Sequence, residues 1–254
     1  MKAIKKTVLS LGVALFWFAL WQIAAMIVSN PHILPTPVKT VIRLFELAGE
    51  SDFWVFTGLS LLRIFIGILI AIPEAWLLAA VCSASKIANA LFAPAVTLMK
   101  STPVVSFILI AIFLVDRRTI PSAITFMMVF PVLFENICEG ISQTPKDILE
   151  MAEVFEVSWM MKVKRIFIPS IKPFFFSALT TSVGLAVKAG VAAEVVAYIP
   201  DSIGKMLSDA KSYMEPADLL AWTVVIITIS LLSELLVRKL LNYTQRRKTN
   251  AQDQ

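Results

Sequence analysis

Long apolar stretches limit what this chain can fold into more than any other feature of its sequence. Six of them, at residues 8–28, 58–82, 87–115, 120–138, 174–198 and 217–237, are each about as long as a helix that crosses a bilayer. Hydrophobic residues make up 58% of the chain and charged residues only 16%, which is far from the balance of a soluble domain. We therefore predict an all-α membrane protein with six transmembrane helices.

The first apolar stretch follows a basic N-terminus, residues 1–7. A cleaved signal peptide would also begin with basic residues, but its apolar core is shorter and ends at a small-x-small cleavage site, which is missing here. We therefore predict that residues 8–28 form the first membrane helix and that residues 1–7 are cytoplasmic.

A polar interval, residues 30–56, separates the first two apolar stretches. Pro31, Pro35 and Pro37 exclude a continuous helix at its start. From residue 38 to residue 48, apolar residues alternate with charged ones at helical spacing. This pattern predicts an external segment that contains a short helix lying in the membrane interface.

The chain lacks the sequence signs of an enzyme. It contains no P-loop, H-E-x-x-H or G-x-S-x-G pattern, and its single histidine, His32, has no cluster of metal-binding residues around it. Cys82 and Cys138 do not suggest a disulfide framework. We therefore expect no catalytic residue, bound cofactor or metal in this chain. We interpret the net charge of +5 as a signal of membrane orientation rather than of nucleic-acid binding.

Residues 145–169 form the longest charge-rich segment of the chain. Its charged residues stand among apolar ones at near-helical spacing and include Glu150, Glu153, Glu156, Lys162, Lys164 and Arg165. A polar, amphipathic segment between two apolar spans cannot sit in hydrocarbon, because its polar groups would be unsatisfied there. We therefore predict that this segment lies outside the bilayer.

The distribution of basic residues orients the chain. On the side of residues 145–169, the threading places both basic termini, including the tail 242–254, together with Lys86, Lys146, Lys162, Lys164, Arg165 and Lys172. On the opposite side it places Lys39, Arg43, Arg117, Arg118, Lys205 and Lys211. The positive-inside rule then predicts that the charged segment and both termini are cytoplasmic.

The spacing of motif residues in this segment points to a known family. In order, the segment contains Glu150-Met151-Ala152, Glu156 and Ile166-Phe167-Ile168-Pro169. That spacing resembles the EAA-x3-G-x9-I-x-L-P loop of ABC importer permeases. Met151 stands where the second alanine is usual, Glu156 replaces the glycine and Ile168 replaces the leucine.

Three shorter motifs extend the resemblance over residues 34–241. They are L-P-T-P at 34–37, V-F-P-V-L-F-E-N at 129–136 and V-A-A-E-V at 191–195. They are similar to the L-P-x-P, F-F-P-I-L-x-N and V-x-x-A-E patterns of the permease branch that serves nitrate, sulfonates, taurine and bicarbonate. Their order and separation carry the resemblance more than any single motif does.

The resemblance implies a type I importer permease fold in the bacterial inner membrane, with residues 58–241 as the permease core. It implies two copies of this chain per transporter, a separate ATPase dimer that binds the ATP, and an external substrate-binding protein. The cargo would be a small polar solute, with anions among the candidates. Membrane lipid would surround the helices, and residues 145–169 would be the coupling loop that passes a rigid-body movement between subunits.

The resemblance also assigns roles within the loop. The expected ATPase-coupling residues are Glu150, Ala152, Phe155, Glu156, Ile166 and Pro169. Glu150 would brace the loop through hydrogen bonds or a nearby cation, and Leu149, Ala152 and Phe155 would form the apolar contact face. Glu156 leaves two alternatives open, because a left-handed turn costs a non-glycine residue on the order of 1 kcal/mol. Either the backbone there is continuous helix, or Glu156 makes a charged contact to the ATPase.

Ionisable residues within the apolar stretches are candidates for a translocation path, because they are costly in hydrocarbon. They are Arg63, Glu74, Lys100, Glu135, Lys188, Glu194 and Glu234. Some have structural explanations. Glu234 precedes Arg238 by four residues, which favours an ion pair, and Arg63 can snorkel outward.

Lys188 and Glu194 both fall in the outer half of the fifth stretch. Glu194 ends a narrow face of small side chains at four-residue spacing, namely Ser182, Ala186 and Gly190. In the functional interpretation, Lys188 faces a central cavity and meets an anionic group while Glu194 braces a gate. In the alternative interpretation, Lys188 pairs with a carboxylate of another span, such as Glu74.

Two further segments have predicted roles at the path. Lys100 and Pro103 mark a broken helix in the third stretch that would line the path, as discontinuous helices do in transporters. Residues 202–213 predict a short outer amphipathic helix that either touches a binding protein or covers the bundle. The leading alternative function is an ion-coupled secondary transporter that uses Lys188 and Glu194, and a third is a membrane scaffold without transport.

Overall fold

The computed structural model describes the backbone of residues 2–250 and the side chains of residues 12, 13 and 15–241. Over that range the chain is helical and contains no β-strand, which confirms the all-α prediction. The helices are α1 (Lys2–Val28), α2 (Pro37–Ala48), α3 (Ser51–Ala84), α4 (Lys86–Ser101), α5 (Val104–Leu114), α6 (Ile120–Ser142), α7 (Lys146–Val154), α8 (Trp159–Lys162), α9 (Ile168–Ala197), α10 (Ile203–Ser212) and α11 (Pro216–Asn250). A 3₁₀ turn (Arg117–Thr119) precedes α6, and a π-helical segment (Val163–Phe167) joins α8 to α9.

Four helical stretches in the described part of the chain are long and apolar enough to cross a bilayer. They are Ser51–Ala84, Arg117–Ser142, Trp159–Ala197 and Pro216–Leu241. The pair α4 and α5 passes the same test together, although the two helices are bent by 107° at the break between them. Proline ends the helix because it lacks an N–H and pushes the preceding residue, here Thr102, into extended backbone. The break predicted at Pro103 is confirmed.

The backbone of α1, Lys2–Val28, is helical throughout the predicted first span, residues 8–28. The apolar part of α1 that the structure describes, Leu15–Val28, is shorter than a bilayer crossing. For the described residues, the structure therefore supports four spans, or five if the bent pair is one span, and the sixth span stays a prediction. Trp21 of α1 donates from Nε1 to the carbonyl oxygen of Pro35 at 3.1 Å. The side chains of the basic N-terminus, residues 1–7, lie outside the described residues.

The helix predicted within the polar interval is present as α2. Thr36 caps its N-terminus by accepting a hydrogen bond from the N–H of Lys39 at 3.3 Å, and Pro37 occupies the first turn. Arg43 on α2 donates to both carboxylate oxygens of Asp218 on α11, at 2.6 and 2.9 Å. This bidentate pair holds α2 against the start of the last span.

Helices α3, α6 and α9 form the centre of the bundle, where small residues let their backbones approach closely. A Cβ atom on Gly67 of α3 would lie 2.5 Å from the carbonyl oxygen of Ser122 on α6. A Cβ atom on Gly190 of α9 would lie 2.4 Å from the Ile64 side chain of α3. Such contacts are typical of helix packing in membranes. α9 also contacts α5, α10 and α11, so it touches most of the other helices of the bundle.

Several predicted boundaries shift by one or two helical turns. The external segment predicted to end at residue 56 is already helical from Ser51. The fifth span begins at Ile168 rather than residue 174, so that Pro169 lies in its first turn. The last helix continues through most of the predicted tail, residues 242–254, and residues 251–254 lie outside the described residues.

Candidate coupling surface and translocation path

Residues 145–169 fold into two helical pieces separated by a tight turn. Pro145 precedes the first piece, α7, whose helical backbone ends at Phe155. The second piece, α8, runs directly into the π-helical segment and from there into α9. The predicted loop is therefore a short, structured surface attached to one end of a central span. Following the predicted orientation, we call the end of the bundle that carries α7 the inner end and the end that carries α10 the outer end.

The turn after α7 is centred on Glu156, whose φ is 52°. The N–H of Val157 donates to the carbonyl oxygen of Ala152 at 2.9 Å, and the N–H of Glu156 donates to that of Glu153 at 3.0 Å. This pair of bonds is the Schellman motif, which ends a helix through one left-handed residue. The alternative of a continuous helix is therefore wrong. Glu156 adopts the conformation that favours glycine, at a cost on the order of 1 kcal/mol.

α7 presents an apolar face that no described residue of the protomer covers. Val154 is 80% exposed, Phe155 73% and Met151 56%. Ala152 is only 6% exposed and faces its own protomer, which corrects its predicted place on the contact face. Leu149 is half-buried. Exposed apolar side chains clustered at the end of a membrane protein are typical of a docking surface.

A groove of about 320 Å³ runs beside this face, between α7 and the segment that follows it. Ala152 is part of its wall, together with Met151, Phe155, Arg165 and Ile166. The groove can therefore receive an apolar side chain from a partner, with the cation of Arg165 at its edge. Ile166 thus belongs to the same surface as α7, although it lies in the π-helical segment.

Glu150 and Pro169 contribute less to this surface within the protomer. Glu150 is exposed, and in the described part of the chain its side chain makes no hydrogen bond or ion pair. The predicted bracing of the loop by Glu150 is therefore not seen within the protomer. Pro169 is exposed in the first turn of α9, where its missing N–H leaves no backbone donor unsatisfied.

Lys100 lies in the last turn of α4, immediately before the break at Pro103. Its Nζ is 2.6 Å from Oε2 of Glu135 on α6, and the two side chains are 48% and 44% exposed. The pair links the broken helix, next to its break, to a central span. Because it is so exposed, its contribution to stability is at most about 1 kcal/mol.

Lys188 is exposed in the second half of α9. Among the described residues it has no ion-pair partner, so the predicted alternative of a pair with Glu74 is not seen in the protomer. It lines a cavity of about 530 Å³ between α9 and α11, together with Thr181 and Ser230. An unpaired ammonium group in an apolar span has to face water, a ligand or another protein chain.

Glu234 lines the same cavity from α11. Its Oε1 accepts from NH2 of Arg238 at 3.0 Å, so the ion pair predicted from their four-residue separation is confirmed. The cavity therefore has a free cation on one wall and a neutralised carboxylate on the other. This arrangement favours a solute that carries negative charge.

Glu194 lies outside this cavity and is fully buried. Its Oε2 accepts from Oγ of Ser60 at 2.8 Å and from the N–H of Gly204 at 3.2 Å, and its Oε1 lies 3.3 Å from NH1 of Arg63. The carboxylate joins α3, α9 and α10 at the outer end of the bundle. Glu194 thus occupies a closed hydrogen-bond network, and its predicted role at the path stays a prediction.

The explanation that Arg63 can snorkel outward holds only in part, because its guanidinium reaches the loop before α10 but binds protein groups there rather than solvent. Besides Glu194, its guanidinium donates to the carbonyl oxygens of Pro200 at 3.3 Å and Asp201 at 3.2 Å. Arg63 and Glu194 are 131 residues apart in sequence, so no local spacing pattern could have paired them. The only available signal was that each is an ionisable residue within an apolar stretch.

The outer helix predicted at residues 202–213 is present as α10, and its N-terminus is held by the same network. The N–H of Ile203 donates to Oγ of Ser60 at 3.0 Å. Arg117 adds a second clamp by donating to the carbonyl oxygens of Ala197 at 3.0 Å and Tyr198 at 2.6 Å. Since α10 packs on α9 and α11, it covers the outer end of the bundle.

Tyr198 and Asp209 close the corner between α9 and α10. The hydroxyl of Tyr198 donates to Oδ1 of Asp209 at 2.5 Å. This hydrogen bond raises the pKa of Tyr198 above its ordinary value, because the neighbouring carboxylate disfavours the phenolate. The hydrogen bond thus links the C-terminal end of α9 to α10.

Within the described part of the chain, no group of three or more histidine, cysteine, aspartate and glutamate residues could hold a metal ion. The two cysteines, Cys82 and Cys138, are free thiols.

Comparisons with known proteins relate these features to a family. Residues 60–250 match the model of the family described as "Binding-protein-dependent transport system inner membrane component". The chain is 25% identical over 232 residues to a putative aliphatic sulfonates transport permease protein of Bacillus subtilis, covering 89% of this chain and 83% of that protein. It is 28% identical over 191 residues to the nitrate import permease protein of Synechococcus elongatus, covering 71% of this chain and 68% of that protein.

Two further matches bear on cargo and fold. A formylaminopyrimidine transport permease protein of Halalkalibacterium halodurans is 25% identical over 177 residues, with 68% of this chain and 69% of that protein covered. A solved structure described as an amino acid ABC transporter with histidines superposes with a TM-score of 0.59 at 16% identity, covering 77% of this chain and 94% of that chain. At this identity, the structural match supports the fold alone.

Proposed function

This chain belongs to the family of binding-protein-dependent transport system inner membrane components, the permeases of ABC importers, and from that premise we propose how it works. It is a multi-pass inner-membrane protein of the branch that contains the nitrate, sulfonate and bicarbonate permeases. In this family, ATP hydrolysis belongs to separate subunits. We propose that two copies of the chain enclose a translocation path for a small polar anion, and that α7 couples the path to the ATPase.

The observation that carries this proposal is the exposed apolar face of α7. Val154, the last of the nine residues of α7, and Phe155, which follows it, both protrude from the surface. At the C-terminal end, the turn at Glu156 fixes the direction in which the chain leaves the helix. Such a helix moves as a rigid body, so a displacement imposed by a partner reaches the spans on either side of it.

The route from α7 to the path runs through α6 and α9. These two helices flank residues 145–169 in sequence and pack against each other along the bundle. A movement of α7 therefore acts on α9, the helix that carries Lys188. We propose that ATP binding and hydrolysis in the partner rock α7 and thereby open the path alternately to the two sides.

The position of Lys188 supports our proposals for where the path lies and for the negative charge of its cargo. Its side chain is exposed on an apolar helix, beside a cavity that also contains the hydroxyl groups of Thr181 and Ser230. Facing lipid would be costly for an ammonium group, whereas facing a second copy across a water-filled path would not. A hydrated cation with hydroxyl donors nearby suits a small anion such as a sulfonate or nitrate, which are the cargoes named for two relatives.

The experiment that tests coupling is ATP-dependent uptake in proteoliposomes containing this chain, its ATPase and its binding protein. We expect Phe155→Ala to reduce both co-purification of the ATPase and uptake by about tenfold, because a buried aromatic anchor carries much of an interface's energy. Met160→Ala is the matched control, since Met160 is 74% exposed in the same segment but lies outside the groove. Normal uptake by the Phe155 variant would contradict the proposed coupling.

A second test addresses Lys188. We expect Lys188→Met to reduce uptake of an anionic cargo severely while leaving ATPase association unchanged, because the substitution removes the cation but keeps the side-chain length. Unchanged uptake at normal membrane levels would remove Lys188 from the path.

The alternative of an ion-coupled secondary transporter makes a different prediction, namely uptake that follows the proton or sodium gradient and persists without the ATPase. Such a mechanism needs a carboxylate that exchanges ions with the path. Glu194, its proposed carrier, has both oxygens bonded to protein donors and no exposed surface in this conformation. The network around Glu194 therefore favours the ATP-driven proposal.

A further inference from the structure

An apolar cavity of about 230 Å³ lies behind the coupling surface, between α3 and the segment that joins α8 to α9. Its floor consists of Ile137 and Ile171, which are 0% and 3% exposed. Trp76 and Ala80 of α3 form one wall, and Trp159 stands at the other with 67% of its surface exposed. The cavity is open to the surface of the protomer, and nothing described in the chain fills it.

The position of this cavity along the helices matches the boundary between hydrocarbon and headgroups. Its lining residues belong to the inner ends of three spans, α3, α6 and α9, where each meets the charged segment or the turn at Ser85. Tryptophan is typical of this depth, because its ring is apolar and its N–H is polar. Trp76 and Trp159 therefore mark the level at which acyl chains end and headgroups begin.

Basic residues adjoin the lining on both sides in the sequence. Lys86 follows the lining residue Ala84 by two positions, and Lys162 directly precedes the lining residue Val163. Neither lysine has a hydrogen-bonded or ion-paired partner among the described side chains. An apolar cavity whose lining segments each adjoin an unpaired lysine in the sequence complements a molecule with a hydrocarbon tail and an anionic head.

The π-helical segment provides a further reason for a site here. Val163 and Phe167, at its two ends, both line the cavity, and the ring of Phe167 lies 5.9 Å from that of Trp159. A π-helical turn widens the backbone and recurs at functional sites. The π-helical turn therefore belongs to the wall of this cavity.

We propose that this cavity binds one acyl chain of an anionic phospholipid, with the phosphate group held by Lys86 and Lys162. The lipid fills the space between α3 and the segment that joins the coupling surface to α9. This site depends on the bilayer position of the cavity and not on the identity of the ATPase or the cargo. Its test is therefore independent of the proposed transport function.

The experiment is native mass spectrometry of the full chain, purified in detergent and titrated with phosphatidylglycerol or with phosphatidylethanolamine of the same acyl composition. We expect phosphatidylglycerol to bind about tenfold more tightly, because each lysine near the headgroup favours the anion. Ala80→Trp should fill the cavity and reduce that binding at least to the level of phosphatidylethanolamine. Val81→Trp is its control, since Val81 is 42% exposed on the same helix turn but does not line the cavity.

The charges are tested separately. We expect Lys86→Gln combined with Lys162→Gln to abolish the preference between the two lipids, whereas Lys39→Gln, an exposed lysine on α2, should leave it unchanged. If Ala80→Trp fails to fold, Ser83→Phe fills the cavity from the lining residue Ser83. Equal affinity of the wild-type chain for both lipids would overturn the proposal. A folded cavity-filling variant that retains the preference would also overturn it.

Discussion

The two ends of the bundle differ in how far their charged side chains are buried and paired. At the outer end, Glu194 has no exposed surface, and its partner Arg63 has 14%. Toward the inner end, the paired side chains of Lys100 and Glu135 are each nearly half exposed. The exposed side chain of Glu150 has no partner among the described residues. The outer end is thus closed by its own hydrogen bonds, while the inner end leaves charged and apolar groups available.

This difference indicates that the two ends of the bundle have different roles, one structural and one in partner binding. A buried carboxylate with three donor contacts specifies one arrangement of α3, α9 and α10, because any displacement leaves charge unpaired in a low-dielectric interior. An exposed pair and an uncovered apolar face impose no such arrangement. We infer that the protomer moves as a unit at its outer end and is completed by a partner at its inner end.

The largest expected effect comes from removing the buried carboxylate. We expect Glu194→Ala to lower the free energy of unfolding by about 3 kcal/mol, because it leaves Arg63 partly buried without its counter-ion. The matched change at the inner end, Glu135→Ala, should cost at most about 1 kcal/mol. Thermal unfolding of both variants in the same detergent checks the difference. Equal losses of unfolding free energy in the two variants would contradict the proposed difference between the two ends.

A second test uses glycines at the outer end. A Cβ atom on Gly204 would lie 2.3 Å from Cβ of Glu194, so Gly204→Ala should displace α10 and destabilise the protein by about 2 kcal/mol. Gly58→Ala, where nothing lies within 4 Å, should be neutral or slightly stabilising because alanine favours helix. The same unfolding assay compares them. A Gly204 variant as stable as the Gly58 variant would show that α10 is not locked.

A smaller effect of opposite sign is expected at the inner end. Glu156→Gly should stabilise the isolated chain by about 1 kcal/mol, because glycine adopts a positive φ without strain. The same variant tests whether Glu156 also contacts the ATPase through its charge. Reduced ATPase co-purification despite higher stability would establish that contact, and unchanged co-purification would exclude it.

The smallest expected effect concerns Tyr198 at the outer corner. Its folded-state pKa is raised by the hydrogen bond to Asp209, so this contact stabilises the fold at neutral pH and is lost only as the pH rises through that raised value. Ultraviolet titration should show one tyrosine that ionises later than the others. Asp209→Asn should bring that transition back toward the ordinary range. A titration identical in both proteins would exclude the contact.

The features that could be predicted from the sequence are those that depend on residues close together in the chain. The apolar stretches, the break at Pro103, the interfacial helix α2 and the pair of Glu234 and Arg238 each depend on residues within a few turns of one another. Helical periodicity and proline geometry determine them, so no knowledge of the tertiary structure was needed.

Features that depend on distant parts of the chain could not be predicted in the same way. The network of Ser60, Arg63 and Glu194 forms only after α3 and α9 pack together. The burial of Ala152 likewise depends on how the segment folds back on itself. The turn at Glu156 was ambiguous because a glutamate rarely adopts the left-handed conformation, whereas a glycine at this position would have indicated it.

Site-specific cross-linking at α7 tests the central claim most directly. Both native cysteines, one buried and one half-buried, are first replaced, and Val154→Cys is compared with Phe113→Cys, an 88% exposed position on α5. In membranes that contain the whole transporter, we predict that Cys at 154 cross-links to the ATPase and that Cys at 113 does not. An active transporter without a cross-link at position 154, or labelling of that position from the external side, would contradict the claim that α7 is the coupling surface.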